Sequence, residues 1–190
     1  MPTNIISQDK QALLNLILSQ AYFREKIILS SGKESDFYID ARRVTLSAQG
    51  AYLCAKVILD LVKNDAFDAI GGPTLGADPI VGAIGVLSFQ ADKPINTFIV
   101  RKAPKFHGKQ QQVEGPLLKE NGRVILIDDV ATTGKAFLES IEVLNKMGIK
   151  TPKAICIIDR QEGAAEALAQ KSCQLVSIFK IGEIHKHNEK

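Results

Sequence analysis

The sequence predicts an α/β fold with a mainly parallel central sheet flanked by helices. Short apolar runs rich in β-branched residues, such as Val124–Ile127, have the composition of strands buried on both faces. Most of these runs lead through a small-residue or polar turn into a stretch with helical spacing, the alternation that builds parallel sheets. No internal repeat or low-complexity linker divides the 190 residues, which suffice for one sizeable core.

In chain order, residues from about Gln8 to Tyr22 place Leu13, Leu14, Leu16, Ile17 and Ala21 at helical spacing, with Ser7 as the expected N-cap. Ile27–Leu29 and Phe37–Ile39 flank a polar segment and predict a hairpin apart from the main sheet. Ser47 is expected to cap a helix to about Lys63, with Leu53, Val57, Ile58 and Leu61 on its buried face. Phe67–Ile70 reads as the first core strand. It runs into Gly71-Gly72-Pro73-Thr74-Leu75-Gly76-Ala77-Asp78-Pro79, a small-residue loop whose glycines let backbone approach a ligand. A helix to about Phe89 and a strand at Ile95–Val100 follow. Lys153–Ile158, a helix over Ala164–Lys171 and a strand at Gln174–Phe179 complete the sheet. The tail with His185 and His187 reads as a frayed end, with no third ligand nearby to suggest a metal.

The central stretch is Val124-Ile125-Leu126-Ile127-Asp128-Asp129-Val130-Ala131-Thr132-Thr133-Gly134-Lys135. A buried strand ends in an acidic pair, then small and hydroxyl residues, then a helix expected from Lys135 to about Met147. Ligands bind at such carboxyl ends of parallel strands. A helix N-terminus behind a small-residue loop favours a phosphate. The aspartates would repel that phosphate and suit sugar hydroxyls or a cation instead. The stretch therefore points to a ligand with a phosphate beside a ribose diol. The plainer reading is that the aspartates end a strand and Thr132-Thr133 cap a helix. It is not a Walker A loop, because no glycine stands five positions before Gly134.

Residues 101–115 form a long cationic segment with Arg101, Lys102, Lys105, His107 and Lys109. Its length exceeds a connection's needs, and its charge beside a phosphate cradle reads as a lid closing on an anion. A net charge of +3 lacks the basic stripe that nucleic acid would require, and Phe106 is the segment's only aromatic. Cys54, Cys156 and Cys173 are odd in number and without CxxC spacing, so neither zinc nor disulfides are indicated. Cys156 reads as a core residue. No signal peptide and no apolar run of membrane-spanning length is evident, so the expected setting is the cytoplasm, without membrane or nucleic-acid partners.

These motifs together resemble the orotate phosphoribosyltransferases. The acidic stretch resembles the phosphoribosyl pyrophosphate (PRPP) signature of type I phosphoribosyltransferases. Arg101-Lys102-x-x-Lys105-x-His107-Gly108 resembles the catalytic loop of the orotate enzymes rather than that of purine enzymes. Ser31-Gly32-x-x-Ser35-x-Phe37-Tyr38-x-Asp40 resembles the family's N-terminal hood, and Asp159-Arg160-x-Glu162-Gly163 its base-recognition segment.

The resemblance implies a type I phosphoribosyltransferase-like fold in a single domain of residues 1–190, with hood elements over about 1–46 and a PRPP-binding core over about 47–180. It implies transfer of the 5-phosphoribosyl group from PRPP to orotate, giving orotidine 5'-monophosphate and pyrophosphate in UMP biosynthesis. Asp128, Asp129, Val130, Ala131, Thr132, Thr133, Gly134, Lys135 and Ala136 would hold the ribose 5-phosphate and diol. Arg101, Lys102, Lys105 and His107 would meet the pyrophosphate, which Gly72–Gly76 would also line. Thr132, Arg160, Tyr38 and Ile39 would contact orotate, and Lys105, His107 and Asp129 would be catalytic. Mg²⁺ would be held mainly through PRPP, with no direct protein ligand. A homodimer is implied, with the cationic loop acting in the neighbouring subunit. Ser30 replaces a lysine of many bacterial relatives, and Leu75-Gly76 replaces a Tyr-Lys pair of some relatives. A purine-base transferase and a non-catalytic PRPP-sensing regulator of the same fold are the rival readings.

Overall fold

The computed structural model describes residues 5–25, 27–28, 34–103 and 112–188. Its centre is a six-stranded sheet of β5 (Ala69–Pro73), β6 (Asn96–Val100), β7 (Val113–Glu114), β8 (Arg123–Ala131), β9 (Lys150–Asp159) and β10 (Gln174–Lys180). The spatial order is β10-β9-β8-β5-β6-β7, parallel throughout except for the antiparallel edge strand β7.

Period-two alternation in β8 and β9 makes two cores. Ile125, Ile127, Ile155 and Ile157 face one side, against α1 (Ile5–Gln20), α3 (Ala48–Leu61) and α4 (Asp78–Gln90). Val124, Leu126, Ala154 and Cys156 face the other, against Phe137, Ile141 and Leu144 of α5 (Lys135–Lys146) and Leu168 of α6 (Ala164–Ala169). Cys156 is thus a core residue, and all three cysteines are unpaired and buried. Covering both faces is what lets a continuous apolar run serve as the central strand.

The chain leaves β5 toward β6 on one side and returns to β8 on the other. The helix after β5 packs on the first core and the helix after β8 on the second. The carboxyl ends of β5 and β8 therefore part at a topological switch point, the place where open α/β sheets bind ligands.

Several boundaries differ from expectation. β5 runs through Gly71-Gly72-Pro73, expected as loop, because a Cβ at Gly72 would overlap the Ile127 carbonyl of the adjoining strand. Close strand packing, not a turn, requires that glycine. β8 continues through Asp128-Asp129 to Ala131, since pairing with β9 extends to Ala131 opposite Asp159. β9 begins at Lys150, three residues before the expected strand. β7 was not expected within the cationic segment; it pairs Val113 with Val100. Ser7 lies inside α1 rather than at its cap. Leu61 is 41% exposed, although Leu53, Val57 and Ile58 of the same helix are buried.

The hood differs most. β4 (Tyr38–Ile39) pairs with β1 (Tyr22–Phe23), and β2 (Ile27–Ile28) pairs with β3 (Glu34–Ser35). The expected pairing of the runs at 27–29 and 37–39 is replaced because Tyr22 and Phe23 give β4 aromatic partners: Phe23 stacks on Tyr38 at 6.3 Å. A short helix α2 (Arg42–Thr45) then leads to Ser47. The C-terminal segment is a helix, α7 (Ile181–Asn188), anchored by the fully buried Ile184, not a frayed end.

Ser47 is the N-cap of α3 as expected. Its Oγ accepts from the Gly50 N–H at 3.0 Å, satisfying an otherwise orphaned donor. Ser47→Ala should lower stability by about 1 kcal/mol, read as a melting temperature roughly 2–4 °C below wild type.

Candidate active site

The acidic pair sits at the end of the central strand under heavy burial; Asp128 is only 8% exposed. Asp128 Oδ1 accepts from the Asp129 N–H at 2.9 Å, and Asp129 Oδ1 accepts from the Val130 N–H at 2.7 Å. These bonds fix both carboxyl planes from the backbone. Burial pushes Asp128 well above the ordinary carboxylate range, and its charged neighbour Asp129 adds to this. Burial also raises Asp129, against the pull of the Val130 N–H and of Arg42. Gly76 closes the pair from the β5 side, where a Cβ would overlap Oδ1 of both aspartates. Gly76 is thus the seat of the acidic pair. Asp78 Oδ2 accepts from Thr74 Oγ1 at 2.8 Å, and its buried Oδ1 has no hydrogen-bond partner among the described residues. Gly76 was expected to line the pyrophosphate, not to seat the aspartates, and Asp78 and Arg42 were absent from the sequence-derived site. The small-residue loop pointed to Asp78; nothing in sequence brings Arg42 to Asp129.

The cradle follows. Val130 to Ala136, with Asp128 and Phe137, line a cavity of about 180 Å³. Gly134 is the N-cap of α5 and takes a left-handed φ of 80°, a conformation that favours glycine. No side chain caps this helix, so Thr132 and Thr133 do not play the capping role of the plainer reading. The first-turn N–H groups of such a helix start are the kind that can meet an anion. The Lys135 ammonium points into solvent, 3.8 Å from Glu139.

A second cavity, of about 260 Å³, joins the loop after β5 to the start of the cationic segment. Thr74, Arg101, Lys102, Gln112 and Ala136 are among its walls. Ala136 belongs to both cavities, so Arg101 and Lys102 adjoin the cradle. The stem of the segment is held by the Arg101 N–H, which donates to the Gln112 carbonyl at 2.8 Å. Arg101 also lies 3.4 Å from Glu114. Lys105 and His107 fall outside the described residues, as does Ser30.

On the β9 side, Ala131 and Asp159 are paired strand ends, and the Arg160 N–H donates to the Ala131 carbonyl at 2.9 Å. Thr132 and Arg160 therefore leave the sheet together. The Arg160 side chain is only 11% exposed. Its guanidinium lies 5.4 Å from the centre of the Phe37 ring. Its Nε is 2.9 Å from Glu162, at ion-pair distance but without hydrogen-bond geometry. Asp159 instead accepts from the Gln161 N–H at 2.8 Å. Phe37 leads into β4, where Tyr38 stacks on Phe23 and Ile39 is buried in the first core. The fold thus unites the aspartates, cradle and Thr132 with Arg160, and brings Arg101 and Lys102 alongside.

Residues 48–186 match the family model described as phosphoribosyl transferase domain. The chain is 37% identical over 184 residues to the orotate phosphoribosyltransferase of Synechocystis sp., covering 97% of this chain and 92% of that protein. It is 41% identical over 156 residues to that of Aquifex aeolicus, covering 82% and 85%. The crystal structure of Mycobacterium tuberculosis H37Rv orotate phosphoribosyltransferase in complex with PRPP superposes with a TM-score of 0.78 at 28% identity, covering 93% of this chain and 99% of that one.

The buried pair makes a testable link between stability and pH. Because burial raises both carboxyl groups, the folded chain binds protons there more tightly than the unfolded chain. The pair favours folding fully below the ordinary carboxylate value of about 4, and that contribution is lost as pH rises through the raised values. Asp128→Asn keeps the acceptor oxygen for the Asp129 N–H and removes the buried charge. Thermal melts of the ligand-free protein should place it above wild type at pH 7 and level with it near pH 4. Its kcat/KM at pH 7 should fall by roughly 10²-fold or more.

Proposed function

The chain belongs to the phosphoribosyltransferase family and, within it, to the orotate phosphoribosyltransferases, and from that premise we propose how its residues divide the work. The enzyme transfers the 5-phosphoribosyl group of PRPP to orotate in pyrimidine biosynthesis. Orotate N1 bonds to C1 of the ribose as the bond from C1 to the pyrophosphate oxygen breaks, and the proton on N1 is released to the departing pyrophosphate. Orotate's own charge is on its carboxylate, so the demand on the protein is to hold that carboxylate and to stabilise the departing negative charge and the positive charge building at C1.

The observation that carries the division of labour is the Arg160 N–H on the Ala131 carbonyl, at 2.9 Å. It ties the base-recognising arginine to the strand that carries the acidic pair, so base and ribose are registered by one backbone bond. The N–H groups at the start of α5, with Thr132, Thr133, Gly134, Lys135 and Ala136, hold the 5-phosphate. Asp128 and Asp129 accept hydrogen bonds from the ribose diol, and Asp129 favours positive charge at C1. Arg101 and Lys102 meet the pyrophosphate, joined by Lys105 and His107 from the loop. Arg160 offers orotate's carboxylate a planar fork. Thr132 and the Tyr38–Ile39 backbone border the ring.

Buried carboxyl oxygens with raised proton affinity are hard donors that suit hydroxyls or the water shell of a hard cation. They fit Mg²⁺ held mainly through PRPP's own oxygens, with Asp128 and Asp129 beside it. When bound, Mg²⁺ supplies positive charge to the leaving group. Among the described residues no helix is long and apolar enough to cross a membrane, and the enzyme works in the cytoplasm. It acts as a homodimer in which the cationic loop serves the neighbouring site.

Substituting Arg160 separates orotate recognition from a structural role. In Arg160→Ala, kcat/KM for orotate should drop at least roughly tenfold, about 1.4 kcal/mol of transition-state binding. Uracil, which lacks the carboxylate, should be a poor substrate of wild type and lose little more. Equal losses for both bases would make Arg160 structural. The dimer is tested by mixing: inactive Lys105→Ala and inactive Asp129→Asn chains should regain partial activity after subunit exchange, because one of the two shared sites is then intact. No recovery after verified exchange would mean each chain is self-sufficient.

A further inference from the structure

We propose that His185, on the C-terminal helix α7, is a positioning residue for the base subsite: its half-buried ring holds Phe37 against the guanidinium of Arg160. The inference rests on the reading of Arg160 as orotate's carboxylate partner.

Phe37 is enclosed on several sides. The Arg160 guanidinium is 5.4 Å from its ring centre. The His185 ring stands 4.5 Å away, at 79° to the Phe37 plane. Tyr22 lies 5.9 Å away and nearly parallel, and it also meets His185 at 5.8 Å. His185 and Tyr22 together form the wall that keeps Phe37 from turning away from Arg160. Edge-to-face and offset aromatic contacts of this kind are directional as well as apolar.

The placement of α7 makes this wall firm. Lys180, at the end of β10, pairs in register with Asp159, the residue before Arg160. The helix starts at the next residue, with the Lys180 N–H donating to Glu183 Oε2 at 2.9 Å. Gly182 passes the Gln161 side chain, and Ile184 anchors the helix in the core. The base-recognition segment and the helix carrying His185 thus spring from neighbouring strand ends. Among the described residues the buried His185 Nε2 has no hydrogen-bond partner, and the ring makes its contacts with Phe37 and Tyr22.

An arginine recognises a carboxylate through two parallel hydrogen bonds, so the angle of the fork governs affinity. A cation over a ring face within about 6 Å is attracted to it. Fixing Phe37 therefore fixes the fork. A void in place of the His185 ring gives Phe37 room to rotate, and the guanidinium loses its platform. The effect belongs to orotate binding, because α7 packs on β10 and α1, whereas the PRPP cradle lies on the loop between β8 and α5.

Steady-state kinetics with orotate and PRPP varied separately test this. His185→Ala should raise the KM for orotate roughly five- to tenfold, while kcat and the KM for PRPP change less than about twofold. His185→Phe, which keeps an aromatic ring, should stay within about twofold of wild type. In an Arg160→Ala background, His185→Ala should add less than about twofold, since both act through one contact. Should the alanine variant fail to fold, His185→Leu carries the test, with the orotate KM rising in the same direction. Equal rises in both KM values, or His185→Phe behaving like His185→Ala, would overturn the proposal. An unchanged orotate KM in His185→Ala beside a raised one in Arg160→Ala overturns the positioning role alone. An unchanged value in both overturns the assignment of Arg160 and this inference with it.

Discussion

Two carboxylates are held side by side, largely out of water, at the end of the central strand, and the rest of the site is arranged around that constraint. Buried adjacent charges oppose folding unless fixed donors or a ligand meet them. Among the described residues the backbone N–H groups of Asp129 and Val130 each meet one oxygen of the pair, and the charge of Arg42 favours ionised Asp129. The remaining capacity of the pair faces the switch point. In the proposed reading, the hydroxyls of a ribose diol donate to that remaining capacity. Gly76 belongs to the same arrangement, because any side chain there would displace the carboxyl oxygens.

The sheet order explains why the remaining ligand-binding groups converge on this point. At a switch between β5 and β8, neighbouring strand ends send their helices to opposite faces and leave a crevice between. β8 places the acidic pair and an uncapped helix start on one side of it. β5 supplies the loop with Thr74 and Gly76, and β6 delivers Arg101 and Lys102 from the next strand. β9 brings Arg160 alongside through the Ala131 carbonyl. Anion-binding and cation-favouring groups are thus separated by the length of a short loop, as a phosphorylated sugar requires.

The proposed base side is built differently. Its parts come from both ends of the chain: β4 and Phe37 from the hood, Arg160 from the sheet and His185 from the last helix. A guanidinium on an aromatic platform keeps its charge while most of its surface is covered. That combination suits discrimination for a carboxylate, because a covered, pre-aligned fork gains most from a planar anionic partner.

Much of this was legible in the sequence, for local reasons. β-branched runs, glycine-rich turns and amphipathic spacing determined the α/β class, the Ser47 cap and the acidic loop. Motif spacing marked Arg160 and the cationic segment. Those signals are carried by residues near one another in the chain, where composition and spacing act directly. What only the tertiary structure decided involves partners far apart in sequence. Strand pairing carried β8 through its aspartates, since the ladder to β9 continues to Ala131. Packing against Ile127 turned Gly72 into a strand residue. Tyr22, rather than the nearer apolar run at Ile27, became the partner of the strand at Tyr38. His185, read as a loose tail, became part of an aromatic cluster beside Arg160, because only the folded sheet places the end of β10 next to the end of β9. Local pattern sets which elements form, whereas the faces they present to one another depend on burial across the whole core, which no window of sequence contains.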